Sequence, residues 1–111
     1  MENEYKIEIF VPHTHLNGLL DSLGEAGIGR IGNYDHCSTA YPVRGFWRPL
    51  EGASPYDGEI GKISTGEEYK VEVKCKESQV KLAIKTIRKA HPYEEPVINI
   101  ISLANADFEH R

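Results

Sequence analysis

An α+β fold with one antiparallel sheet and two helices is predicted by three features of this 111-residue sequence. Strand-like alternation opens and closes it, two stretches carry helical spacing, and the elements fall in the order strand, helix, strand, excursion, strand, helix, strand. That βαββαβ order is the split arrangement of ferredoxin-like domains, with both helices on one face of the sheet. A length of 111 residues fits a single domain, with a core over about residues 5–103.

Tyr5–Val11 alternates apolar and polar residues before turning wholly apolar, and leads as a strand into Pro12. From His13 to Ala26 the period changes. Leu16, Leu19, Leu20 and Leu23 fall on one helical face, with Thr14 as the expected cap and Gly27 and Gly29 as stops. A second strand is expected within Tyr34–Tyr41. Glu68–Cys75 alternates so that Tyr69, Val71, Val73 and Cys75 share a face. The second helix opens at Ser78, buries Val80, Ala83, Ile84 and Ile87, and ends before Pro92. Its basic residues Lys81, Lys85, Arg88 and Lys89 read as a solvated face. Pro96–Leu103, rich in β-branched residues, is the expected last strand, and residues 104–111 form a polar, frayed tail.

Residues 42–66 hold glycines, prolines and aromatic residues without clear period. So long a structureless stretch is unusual in a compact domain. It is either a long hairpin or a surface that a partner covers. Phe46, Trp47 and Tyr56 are the expected interface residues of this excursion.

Composition narrows the function. Thirteen Lys and Arg against seventeen Asp and Glu leave a formal charge of −4, which disfavours nucleic acid as a partner. No apolar run approaches a membrane span and no secretory leader opens the chain, so no membrane role is expected. Cys37 and Cys75 form no CxxC pair and no disulfide framework, and the expected location is the cytoplasm. Nucleophile elbows, HExxH helices and phosphate loops are missing from the sequence, which disfavours catalysis.

The hexapeptide His91-Pro-Tyr-Glu-Glu-Pro96, Gly27–Cys37, Gly52–Gly61 and Phe10-Val-Pro12 occur in order and at matching spacing. Together they resemble the insert domain of the YqfO-type, Nif-three-like dinuclear-metal-centre hexameric proteins. That insert is similar to CutA-like and PII-like trimeric domains, with sites near subunit boundaries. The resemblance implies a homotrimer binding a metal ion, a small ligand or a protein partner. It also implies that the family's large, two-metal domain is absent here, so its metal ligands transfer to no residue of this chain. An alternative is an enzyme subunit that acts with a separate large domain or through an intersubunit site.

The metal-capable residues within those motifs are Cys37, His91 and Glu95, followed by His36 and Glu94. Imidazole, thiolate and carboxylate together suit zinc or copper. Because the second and fourth strands of such a sheet lie on opposite edges, these groups need trimer contacts or the excursion to converge. The competing account makes Cys37 a small buried hydrophobe and His91 a helix-end cap. His13 and His15, two residues apart, read as exposed and without function.

Overall fold

The computed structural model describes residues 2–109. β1 (Glu4–Pro12) passes through a 3₁₀ turn (His13–His15) into α1 (Leu16–Glu25). β2 (Thr39–Trp47) and β3 (Ser64–Lys76) follow, then a second 3₁₀ turn (Glu77–Gln79), α2 (Val80–Ala90) and β4 (Ile98–Leu103). The sheet order is β2-β3-β1-β4 with every neighbouring pair antiparallel, the ferredoxin-like topology the element order predicts. β2 and β4 are the edges.

The core is one layer between sheet and helices. Ile7, Ile9 and Val11 of β1 and Val71, Val73 and Cys75 of β3 present alternate side chains to Leu19 and Leu23 of α1 and Ala83 and Ile87 of α2. All ten are buried. The opposite sheet face is a charge lattice. Glu8 faces Glu72 and Lys6 faces Lys74 directly across β1 and β3, an unfavourable arrangement for like charges. Diagonal contacts offset it: Lys70 lies 3.3 Å from Glu8 and Lys6 lies 3.7 Å from Glu72.

α1 ends as its glycines predict. Gly27 adopts φ +81°, and the Ile28 and Gly27 amides donate back to the Leu23 and Gly24 carbonyls. The N-terminal caps differ from expectation. Thr14 bonds to its neighbour His15 Nδ1 rather than to the helix, and Gln79 Oε1, not Ser78, accepts a backbone bond, from the Lys76 amide. In both cases a 3₁₀ turn precedes the α-helix and moves its first residue past the predicted cap.

The larger difference lies in the excursion. β2 does not stop near Tyr41 but runs to Trp47, and β3 begins at Ser64, four residues before Glu68. Register is continuous from Thr39↔Glu72 to Trp47↔Ser64, so much of residues 42–66 is a long hairpin. It lengthens the molecule to 54 × 24 × 22 Å, with a radius of gyration of 15.5 Å, against about 13 Å for a compact chain of this size. At the other end, residues predicted to fray make a short helix, α3 (Asn105–Phe108). His110 and Arg111, the last two residues of the predicted tail, lie outside the described residues. Among the described residues no helix is long and apolar enough to cross a membrane.

Candidate functional site

Pro92 forces His91 out of the helical region, to φ −88° and ψ 134°, at the end of α2. There the buried imidazole is fixed from both sides. Nε2 lies 2.6 Å from the Phe10 carbonyl of β1, and Nδ1 accepts the Tyr93 amide at 3.2 Å. An accepting Nδ1 leaves the proton on Nε2, which donates to Phe10, so the neutral ring is held in one tautomer. Burial pulls the His91 pKa below its ordinary value, against the opposing pull of the Phe10 bond and of Glu68.

With its amide anchored, Tyr93 reaches toward the loop half of the hairpin. Its hydroxyl donates to Glu68 Oε2 at 2.8 Å. Glu68 is itself buried, and its Oε1 occupies the space a side chain on Gly45 would need. Burial first, then the Glu68 bond and charge, push the Tyr93 phenol well above the ordinary tyrosine range. Around Tyr93 the aromatic rings gather. His91 lies 4.8 Å from it between centroids, Tyr56 5.8 Å and Trp47 6.3 Å, and His15 meets Tyr56 edge-on at 5.7 Å. Trp47 spreads over Gly66, and its Nε1 donates to the Asp57 carbonyl at 3.0 Å.

Beside this cluster opens a cleft of about 370 Å³ between the hairpin loop and the segment after α2. Trp47, Tyr56 and Tyr93 supply its aromatic wall; Asp57, Glu94 and Glu95 bring carboxylates. Glu94 Oε1 accepts the Ser54 amide at 3.1 Å and ties the two segments together. A concave, mainly apolar site with a few placed polar groups is the usual form of a small-ligand pocket.

The predicted metal-capable residues fall into two groups. His91, Glu94 and Glu95 sit at this cleft or beside it. His36 and Cys37 lie at the other end of α1: the His36 ring covers Gly24 and holds Asp35 at 3.1 Å, and the Cys37 amide donates to the Gly29 carbonyl. His36 also takes φ +56°, a left-handed conformation uncommon outside glycine. Cys37 is half-buried and Cys75 buried, both as free thiols. Among the described residues no three His, Cys, Asp or Glu side chains come together as a metal-binding group. Both nitrogens of His91 are already engaged. Among the described residues of one chain, these donors are not brought together.

Of the expected interface residues, Phe46 is 68% exposed and Tyr56 52%, while Trp47 and Tyr56 also line the cleft. Glu68, Tyr93 and His15 are the members that sequence reading missed. The available signal was the pair Gly45 and Gly66, directly opposed in the hairpin, where missing side chains make room for Glu68 and Trp47.

Comparison with known proteins places this architecture. The family model described as CutA1 divalent ion tolerance protein matches residues 54–110. The chain belongs to the CutA1 family. Relatives of higher identity are much longer proteins. A GTP cyclohydrolase 1 type 2 homolog of Halalkalibacterium halodurans is 40% identical over 94% of this chain but only 28% of its own length. The Bacillus subtilis protein of the same description is 36% identical, over 86% of this chain and 26% of its own. The chain thus spans about a quarter of those relatives. Among solved structures, a Bacillus cereus protein related to NIF3 superposes with a TM-score of 0.81 at 35% identity, covering 92% of this chain and 26% of that one. CutA1 from Ehrlichia chaffeensis gives a TM-score of 0.71 at 19% identity, covering 95% and 85%, and so shares the fold. This is a CutA1-like domain related to Nif3-like proteins.

Proposed function

We propose that this CutA1-family chain is a non-catalytic, self-associating module, trimeric and cytoplasmic, that takes a small ligand in the cleft between the hairpin loop and the segment after α2. The observation that carries the reading is the cleft itself: three segments of the chain, 47–57, 68 and 91–95, are cross-linked by hydrogen bonds around an open aromatic wall. Such a preorganised wall lowers the ordering cost of binding. Self-association is supported by two open sheet edges and by Phe46, Leu50 and Ile63, each more than 60% exposed along the hairpin. The two free cysteines agree with a reducing compartment.

Light scattering during size exclusion is expected to return three times the 12.5 kDa chain mass. A stable monomer at micromolar concentration would defeat the trimer. For the cleft, a thermal-shift screen of cationic, neutral and anionic small molecules should yield stabilisers of the wild type that lose their effect on the Tyr93→Ala variant. Zinc or copper held by Cys37 or Glu95 belongs to this reading only with donors from a second copy. Metal analysis of untagged protein, with and without Cys37→Ser, tests that arrangement.

The identity to the long relatives supports a second reading, in which the chain serves an enzyme whose chemistry resides in a separate large domain. That reading expects a stoichiometric complex with the large domain of the Halalkalibacterium halodurans relative, made without its matching segment. Failure to form one leaves the binding module alone.

A further inference from the structure

We propose that the ligand class of the cleft is a small organic cation, an ammonium group that docks on the Trp47, Tyr56 and Tyr93 rings with the carboxylates of Glu94, Glu95 and Asp57 beside it. The inference deepens the preceding reading and rests on it. It comes from the hydrogen-bond donors of the wall, many of which are already engaged. Trp47 Nε1 donates to the Asp57 carbonyl and the Tyr93 hydroxyl to Glu68. The Tyr93 amide goes to His91 Nδ1, the Ser54 amide to Glu94, the Ala53 amide to the Leu50 carbonyl and the Gly61 amide to the Pro49 carbonyl. Pro49 and Pro55 carry no amide hydrogen at all.

An anion entering this cleft would therefore find mostly acceptors and ring faces, with the Tyr56 hydroxyl as a donor and Arg48 as the one cation of the lining. Three carboxylates outnumber that guanidinium. A cation finds the reverse: ring faces carry the negative lobe of the aromatic quadrupole, and the carboxylates add long-range attraction. The same bonds that engage the polar edges of Trp47 and Tyr93 also fix those rings in place, so no aromatic side chain has to be ordered when a cation arrives. Methylated ammonium groups suit the site best, since they give up little hydration and need no acceptor for every hydrogen.

Trp47 is the sole tryptophan, so its fluorescence reports on the wall directly. Choline and tetramethylammonium should shift its emission saturably. The neutral isostere of choline, 3,3-dimethylbutan-1-ol, should bind about tenfold more weakly. The double variant Glu94→Gln, Glu95→Gln keeps an acceptor for the Ser54 amide and removes two charges; it should weaken choline by about tenfold while circular dichroism and melting stay as in wild type. Titration calorimetry gives the same constants without the fluorophore. Equal binding of the neutral isostere, indifference to the double variant, or tighter binding of acetate or ATP would overturn the cation and leave the ligand cleft standing. Absence of saturable binding by all these probes would remove the cleft reading as well.

Discussion

His91 shows how one side chain can join three elements. It ends α2, bonds the β1 carbonyl of Phe10 and holds the Tyr93 amide. Replacement by Gln should cost about 1–3 kcal/mol, because buried partners are left without their bonds. It should also change how stability depends on pH. The folded pKa lies below the ordinary value of 6.5, so near and below that pH the unfolded chain binds more protons than the folded one. The His91 contribution is therefore complete above about pH 6.5 and declines as pH falls toward the folded pKa. Urea midpoints between about pH 7 and 5 should fall more steeply for wild type than for His91→Gln. Gly45 makes a related test. A methyl group there meets the Glu68 Oε1 atom, whose partner oxygen holds Tyr93. Gly45→Ala and Tyr93→Phe each disturb that bond, so the double variant should lose less stability than the two singles combined, by about 0.5 kcal/mol or more in a mutant cycle.

Among the elements, the β1–β3 pair is the most heavily constrained. Its inner face is wholly apolar and its outer face alternates charge, with Glu8 between Lys6 and Lys70. Burial alone would raise the Glu8 pKa, but the Lys70 and Asn99 bonds and the nearby lysine charges lower it overall. Glu8→Gln should lower the melting temperature in dilute buffer, and the difference should shrink in about 1 M salt, where such pairs are screened. That alternation was legible in the sequence, and so were both helices and the last strand. The hairpin was legible only as an alternative, because β2 presents most of its residues to solvent and its face toward Trp47 carries glycine where a side-chain signal would sit. An edge strand without a buried face leaves no period to read. How the candidate site residues are arranged within one chain was not legible, for a different reason. Cys37 and His91 were grouped by chemical type, whereas burial engaged His91 in backbone bonds and the aromatic wall depended on contacts such as Trp47 with Tyr93, 46 positions apart. Residue type declares a metal donor; it does not declare that its lone pair is already in use.

At the scale of the whole molecule, the extended hairpin sets the elongated shape and, in the proposed trimer, would carry the contact surface. Phe46 and Ile63 sit on it at 68% and 75% exposure, away from the core. Charges at both positions, Phe46→Glu with Ile63→Glu, should leave the fold intact and reduce the assembly to the 12.5 kDa chain. Small-angle scattering of that variant should then return a radius of gyration near 15.5 Å. A double variant that keeps the wild-type mass would place the contact surface elsewhere, on the sheet edges.

The strand order has a consequence for synthesis. Among the described residues, β2 pairs with β3, and β1 with β3 and β4, so β1 and β2 have no partner strand in each other. On the ribosome, Ile7, Ile9 and Val11 must wait for β3 to emerge while the chain grows at about 5–20 residues per second. Throughout that interval they form an unpaired apolar strand, the kind of segment chaperones protect. A fragment of residues 1–61 should accordingly lack strand signal in circular dichroism and bind a hydrophobic dye, whereas extension through Lys76 supplies the partner that both β1 and β2 require. In this topology the sheet assembles around a single late central strand, β3, on which both β1 and β2 depend.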